Sequence, residues 1–179
     1  INRVNGRVPV VVGVSNPDME KLIALSKSAM QSGAAGVMIA PNLSHDCDEV
    51  IFDYYAEVDK ALGSSIPIIY QDFPLITKAP VSVDCLMRII REIPQVVMLK
   101  HEDWPGLEKL SELRARSKAE GLRRISILCG NGGLYLPQEL ARGADGAMTG
   151  FAYPEMLVAV CEKFAVGDLD DAEDLFDLY

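Results

Sequence analysis

The sequence predicts an α/β fold in which strand–helix units build a parallel sheet. Short runs of apolar residues alternate with longer stretches that have helical periodicity. Most of the short runs are apolar without interruption, as expected for strands that are buried on both faces. Six such units follow one another, each about thirty residues long, which is typical of βαβ architecture.

The predicted strands are separated by helices whose ends carry recognisable signals. The strands span residues 8–14, 36–40, 66–70, 96–100, 125–130 and 146–150. The first two helices are expected to end at Gly33 and Gly63, and their expected caps are Ser15 or Asn16 and Asp46 or Asp48. Further helices are predicted at residues 82–93, 105–121, 137–142 and 154–167, and from Asp168 onwards.

Six parallel strands fit two architectures, an open doubly wound sheet or six of the eight units of a (β/α)8 barrel, which takes roughly 250 residues. GAAGVMIAP (33–41) resembles GADGAMTGF (143–151) four units later, as expected for two similar half-barrels. The chain also starts without Met and stops inside a helical pattern, as a fragment would. We predict strands 3 to 8 of a (β/α)8 barrel, also called a TIM barrel, in residues 1–167, and the start of a C-terminal helical extension in residues 168–179.

The composition argues against several classes of function. The net charge is -9 and no basic stripe stands out, so nucleic acid is not expected as a partner. No apolar stretch reaches membrane-spanning length, so no membrane partner is expected. The scattered cysteines have no C-x-x-C spacing, which predicts reduced thiols in the cytoplasm rather than a disulfide frame or a zinc site; they are Cys47, Cys85, Cys129 and Cys161.

Functional groups are expected at the carboxyl ends of the strands in either architecture. Two reactive residues stand there on neighbouring strands, Tyr70 and Lys100. An apolar environment favours the neutral amine of a lysine, and a neutral amine attacks a ketone or aldehyde to form a Schiff base. A nearby tyrosine hydroxyl can pass protons to the carbinolamine and to the leaving oxygen. The pair predicts a Schiff-base lyase with Lys100 as nucleophile and Tyr70 as acid–base group.

Each of these residues also has an ordinary structural explanation. A lysine after a strand is commonly a surface residue, and a tyrosine is commonly part of the core. His101 is either a general base or part of the loop structure. Glu102 and Asp103 either bind a metal, for which HED lacks helical ligand spacing, or pair with a neighbouring cation. The loop GNGG (130–133) forms either a backbone nest for an anion or a plain turn.

Two rival functions follow from these alternatives. One is a phosphosugar enzyme that uses GNGG as an anion nest without covalent chemistry, with Lys100 in a salt bridge. The other is a barrel that binds a metabolite or a partner without catalysis.

Four segments resemble the dihydrodipicolinate synthase and N-acetylneuraminate lyase family of class I Schiff-base lyases. IPIIYQDFP (66–74) resembles the motif of the family's fifth strand, and VVMLKHED (96–103) resembles that of the sixth, which carries the Schiff-base lysine. ILCGNGG (127–133) resembles the glycine motif of the seventh strand, and GADGAMTG (143–150) resembles the eighth-strand segment beside the imine. The similarity covers nearly the whole chain.

The resemblance implies a (β/α)8 barrel with a helical extension, in a homo-oligomer that is usually a tetramer, with a dimer as the other possibility. By this similarity Lys100 forms the imine with pyruvate or another 2-keto acid, and Tyr70 relays protons. Gly130, Met148 and Thr149 are expected to line the substrate pocket. No metal or organic cofactor is expected, because the lysine supplies the electron sink. The family's first two strands, with the loop that binds the keto-acid carboxylate, have no counterpart in this chain.

Two departures point away from dihydrodipicolinate synthesis, which we keep as an alternative. PNLSHD (41–46) replaces the aromatic pair that follows strand four in synthases, so the tyrosine that completes their proton relay is missing. Ile76 stands near the position of the arginine that holds the aldehyde substrate. QDFPL (71–75) instead resembles 2-keto-3-deoxy-sugar-acid dehydratases and aldolases, and Gln71 is expected to contact a hydroxylated substrate.

Overall fold

The sheet of the computed structural model, which describes residues 1–42 and 45–179, has the strand order of a barrel. Its strands are parallel and follow one another in sequence order; they are β1 (Val11–Gly13), β2 (Gly36–Ile39), β3 (Ile68–Asp72), β4 (Val96–His101), β5 (Ser126–Cys129) and β6 (Gly146–Ala147). A doubly wound sheet reverses its strand order at a switch point, whereas a (β/α)8 barrel does not. The sheet is therefore six strands of a (β/α)8 barrel, as predicted.

The helices of the described residues connect these strands or follow the last one. They are α1 (Met19–Gln31), α2 (Asp48–Leu62), α3 (Pro74–Thr77), α4 (Val83–Glu92), α5 (Leu107–Ala119), α6 (Leu136–Ala141), α7 (Pro154–Ala165) and α8 (Leu169–Phe176). Crossovers between parallel strands are right-handed, so a sequential order leaves the helices on one face of the sheet. The other face is the interior of the barrel. The short helix α3 was not predicted, because its four residues follow Phe73 without a polar cap.

The cap of α1 differs from the prediction. Asp18 caps this helix, and its side-chain oxygen accepts hydrogen bonds from the backbone N–H groups of Glu20 at 3.0 Å and Lys21 at 3.3 Å. Ser15 is unavailable as a cap because its hydroxyl accepts a hydrogen bond from the backbone N–H of Ala40, at the end of the neighbouring strand. The second helix is followed by Gly63, as predicted, but its N-cap position is Cys47, without a side-chain cap, rather than Asp46 or Asp48.

The last strand is shorter than predicted. Residues 146–150 were expected to be extended, but β6 ends at Ala147, at the edge of the sheet. The backbone N–H of Met148 still donates to the carbonyl of Cys129 at 2.9 Å, so the chain stays beside β5 for one more residue. Met148 and Thr149 therefore lie in a loop rather than in the strand.

The main core lies between the sheet and helices α1, α2, α4 and α5. Alternate strand residues enter it, and all of them are at most 2% exposed: Ile39, Ile68, Tyr70, Leu99 and Ile127. A smaller apolar cluster joins β5 to α6, α7 and α8. Because side chains alternate across a strand, the residues between these core positions face the barrel interior.

Two stacked tyrosines in the main core differ in their hydrogen bonding. The ring centroids of Tyr55 and Tyr70 are 4.5 Å apart. The Tyr55 hydroxyl donates to the carbonyl of Ile39 at 2.6 Å, whereas the buried Tyr70 hydroxyl has no hydrogen-bond partner within the described part of the chain.

We expect Tyr55→Phe to lower the free energy of unfolding by about 1–3 kcal/mol, because it leaves a buried carbonyl without its donor. Tyr70→Phe should have little effect, since the hydroxyl it removes makes no hydrogen bond. Urea unfolding of both variants measures the difference. Equal losses of unfolding free energy in the two variants would contradict the difference in hydrogen bonding between the two hydroxyls.

Candidate active site

The register between β3 and β4 decides which side chains meet at the carboxyl end of the sheet. Gln71 pairs with Lys100, and Tyr70 pairs with Leu99. Paired residues on neighbouring strands point to the same face, and successive residues point to opposite faces. Gln71 and Lys100 therefore share the interior face, and Tyr70 faces the helices.

The surroundings of Tyr70 agree with this placement. Its ring stacks on Tyr55 of α2, and the residue is 1% exposed. Burial raises the pKa of the Tyr70 hydroxyl well above its usual value, and the neighbouring Tyr55 raises it further. The structure does not bring this hydroxyl and the Lys100 amine together, so the predicted proton relay through Tyr70 finds no support in the geometry. Both residues stand at strand ends in the sequence, but the alternation of side chains puts them on opposite faces of the sheet.

On the interior face, Lys100 has a carboxylate beside it. Its amine lies 3.4 Å from Oε1 of Glu102, and the two side chains are only 14% and 7% exposed. The other carboxylate oxygen, Oε2, accepts a hydrogen bond from Nε2 of Gln71 at 2.6 Å. Gln71 thus fixes the orientation of the carboxylate and leaves Oε1 toward the amine. The amide nitrogen of Gln71 is thus engaged with Glu102, and its contact with a hydroxylated substrate stays a prediction.

Glu102 is held in place by the two strands on either side of β4. Its backbone N–H donates to the carbonyl of Asp72 at 2.9 Å, and its own carbonyl accepts from Nδ2 of Asn131 at 2.9 Å. Gly130 makes room for the side chain, because a Cβ atom there would lie 2.8 Å from Cδ of Glu102 and closer still to Cγ. The carboxylate therefore occupies a space that only a glycine leaves open.

Behind this site, on the helix side of the sheet, lies a second layer of charged residues. Lys109 of α5 contacts a carboxylate oxygen of Asp72 at 2.7 Å and one of Asp103 at 3.0 Å. Burial raises the pKa of Asp72, while Lys109 opposes that shift. Burial also acts to lower the pKa of Lys109, but the two carboxylates outweigh it and the pKa is raised.

His101 belongs to the same layer and not to the interior face. Its Nδ1 lies 3.2 Å from Oε2 of Glu139 in α6, and neither side chain is more than 5% exposed. A histidine enclosed in this way cannot reach a molecule bound beside Lys100. Of the two explanations offered by the sequence, the structural one applies.

The three predicted pocket residues are found in different surroundings. Gly130 borders Glu102, as described above. Met148 lies beside the end of β5 through its backbone, and Thr149 lies near Gly133, where its methyl carbon is 3.8 Å from a Cβ placed on that glycine. The role of Met148 and Thr149 beside an imine remains a prediction.

Backbone hydrogen bonds tie both ends of the glycine loop to neighbouring carbonyls. The N–H groups of Gly130, Gly133 and Leu134 donate to the carbonyls of His101, Gly130 and Asn131. An anion nest needs consecutive N–H groups that point outward. Residues Asn131–Gly133 form a helical turn beside Glu102. Use of the loop as an anion nest stays a prediction.

The described residues show neither a metal-binding cluster nor a membrane-spanning helix. Within 1–42 and 45–179, no three or more His, Cys, Asp or Glu side chains are grouped so that they could hold a metal ion. None of the helices in those ranges is both long enough and apolar enough to cross a membrane. Two residues of the segment PNLSHD, at positions 43 and 44, lie outside the described residues.

The contacts of Glu102 were only partly predicted from the sequence. It was expected to be a metal ligand or a partner for a cation, and the second description is the correct one. The signal was present in the spacing, because residues two apart on an extended segment point to the same face. On the neighbouring strand β3, the same alternation puts Gln71 rather than Tyr70 on the face that Lys100 shares.

Gly130→Ala should displace Glu102 and lower the free energy of unfolding by about 1–3 kcal/mol, because the added methyl group overlaps a buried side chain. Gly150→Ala is the matched control, since a Cβ at Gly150 meets no atom within 4 Å. Thermal unfolding of the two variants measures the contrast. A Gly130→Ala variant as stable as Gly150→Ala would show that position 130 has room for a methyl group beside Glu102.

Comparison with known proteins places this arrangement in a family. Residues 1–177 match the model of the dihydrodipicolinate synthetase family. The chain is 36% identical over 182 residues to L-2-keto-3-deoxyarabonate dehydratase of Azospirillum brasilense, covering 96% of this chain and 55% of that protein. It is 31% identical over 178 residues to 4-hydroxy-tetrahydrodipicolinate synthase of Thermus thermophilus, covering 98% and 57%.

A solved structure agrees with these matches. The crystal structure of dihydrodipicolinate synthase from Rhodopseudomonas palustris superposes with a TM-score of 0.92 at 46% identity, and it covers 95% of this chain and 56% of that one. The chain thus spans a little over half the length of the relatives it matches. Sequence motifs, sheet topology and these similarities agree, and the chain belongs to the dihydrodipicolinate synthetase family.

Proposed function

We propose that this chain carries the catalytic centre of a Schiff-base lyase that acts on a 2-keto acid. The reaction is aldol cleavage or dehydration, and the substrate is pyruvate or a 2-keto-3-deoxy sugar acid. The observation that carries the proposal is the Lys100 amine, nearly buried on the interior face and 3.4 Å from an oriented carboxylate. A lysine of that kind is suited to covalent catalysis on a carbonyl group.

Lys100 is the nucleophile in this proposal. Its neutral amine attacks C2 of the keto acid, a C–N bond forms, and the former carbonyl oxygen leaves as water after it has gained two protons. The resulting protonated imine accepts the electron pair released when a bond at C3 breaks. No organic cofactor or metal ion takes part in these steps.

Glu102 is the acid–base group in this proposal, in place of Tyr70. Its Oε1 is near enough to receive a proton from the Lys100 ammonium group, which frees the amine for attack. In dehydration the same carboxylate takes the C3 proton and returns a proton to the hydroxyl that leaves from C4. Gln71 positions Glu102 through the 2.6 Å hydrogen bond to Oε2.

Dehydration of a sugar acid fits the site better than dihydrodipicolinate synthesis. Ile76, near the expected position of an aldehyde-binding arginine, is 68% exposed and supplies no positive charge. The similarity to a 2-keto-3-deoxyarabonate dehydratase supports the same choice. Synthesis remains the alternative, because a synthase is among the relatives.

We also propose that the protein works in the cytoplasm as a homo-oligomer, a dimer or a tetramer. The exposed apolar side chains of Leu75 and Ile76, which are 50% and 68% exposed on α3, support an interface at that edge. The four cysteines are free thiols, which fits a reducing compartment.

Borohydride added to the intact protein with pyruvate should reduce the imine and attach pyruvate permanently to Lys100. Peptide mass spectrometry locates the adduct. Lys100→Ala should abolish it, whereas Lys27→Ala, on the distant helix α1, should leave it unchanged. An intact protein that forms no adduct with pyruvate or a sugar-derived 2-keto acid would refute the proposed function.

Glu102→Gln should form the borohydride-trapped adduct more slowly, since Lys100 remains, and lose about 10²–10⁴-fold in kcat, because the amide cannot exchange protons. Tyr70→Phe is the matched control, and it should retain most of the wild-type kcat because its hydroxyl faces the helices. Steady-state turnover of a 2-keto-3-deoxy sugar acid measures both variants. If Tyr70→Phe were inactive and Glu102→Gln kept the wild-type kcat, Tyr70 rather than Glu102 would be the acid–base group.

A further inference from the structure

A cavity lies at the opposite end of the sheet from Lys100. It has a volume of about 500 Å³ and is bordered by residues that precede two strands, Ile125 before β5 and Gly143 before β6. Parts of α4 and α5 complete its walls. Cavities that hold small ligands are typically about 300–1,000 Å³, so this one is large enough for a metabolite.

The cavity has an apolar floor and a positively charged rim. Ile90, Leu113 and Ile125 are among the floor residues. Five of the chain's 17 lysines and arginines line this one cavity; they are Arg114, Lys118, Arg123, Arg124 and Arg142. The net charge of the chain is -9, so the rim is a local reversal of the overall sign.

The positive charges at the rim outnumber the carboxylates that neutralise them. Arg114 and Arg124 share the carboxylate of Asp145, at 2.9 and 2.5 Å. The other guanidinium donors of Arg114 contact the carbonyls of Gly143 and Ile125, which carry no net charge. Burial lowers the pKa of Arg114, and the nearby charge of Arg124 lowers it further, as expected where two cations face each other.

The remaining three cations have no acidic partner in the described ranges. Arg123 donates to the carbonyls of Ile90, Ile93 and Val96, and Arg142 donates to that of Gln138. No carboxylate of residues 1–42 or 45–179 lies within 4.0 Å of the charged nitrogens of Lys118, Arg123 or Arg142. An exposed lysine at the edge of an apolar cavity is free to bind an anionic group.

We propose that this cavity is a binding site for a small organic anion, a molecule with an apolar body and a phosphate or carboxylate group. The apolar part would lie on the floor near Leu113, and the anionic group would meet Lys118 and the arginine rim. The site is separate from the centre at Lys100, and the proposal stands whether or not that centre acts as described above.

Phenyl phosphate and benzoate are suitable probes, because both join an apolar ring to an anionic group and differ in which anion they carry. Isothermal titration of the intact protein should show saturable binding of at least one of them, and which one binds identifies the anion. Phenol and inorganic phosphate should each bind more weakly than phenyl phosphate, because each lacks one half of the recognised chemistry.

Lys118→Glu should weaken binding of the probe about tenfold, because it replaces a free cation at the rim with an anion. Lys27→Glu is the matched control, with the same change of charge on α1, and should bind as the wild type does. Lys100→Ala should also bind normally. The proposal is overturned if neither probe binds, if Lys118→Glu and Lys27→Glu bind equally well, or if only Lys100→Ala loses binding.

Discussion

The proposed chemistry of this chain depends on the alternation of side chains along β4 and the residue that follows it. Lys100 and Glu102 point into the barrel, and His101 between them points toward the helices. The alternation brings an amine and a carboxylate within 3.4 Å, although neither is anchored to a helix. A shift of one residue in the register with β3 would put His101 in the interior and the reactive lysine in the core.

The charged layer on the helix side stabilises the register between β3 and β4. Asp72 at the end of β3 and Asp103 after β4 both contact Lys109, so a single cation ties two strand ends to α5. Glu139 does the same for β4 and α6 through His101. Asp72 is buried, so separating it from Lys109 would leave a buried carboxylate without its cation, which is more costly than losing a contact at the surface. The layer therefore stabilises the geometry of the interior face without taking part in it.

The sequence predicted much of the fold but a smaller part of the candidate site. Continuously apolar strands and glycine or proline at helix ends predicted the order of elements, because burial and backbone conformation act locally. The cap of α1 was missed since Ser15 is occupied by Ala40, a contact 25 residues away. The motif around Lys100 predicted the family, which the comparisons confirm, and it is the basis for proposing Lys100 as the nucleophile. Its acid–base partner was assigned to Tyr70 because strand ends alone do not show which face a side chain takes.

Gly130 has a consequence for how such a site can change over time. The space of the missing side chain is filled by Glu102 from the neighbouring strand, so the two positions cannot vary independently. A relative without the Glu102 carboxylate could carry a larger residue at position 130. A relative that keeps the carboxylate needs glycine there. Among relatives, a residue larger than glycine at this position should mark the chains that have lost the carboxylate, which makes position 130 a marker for sorting this family by chemistry.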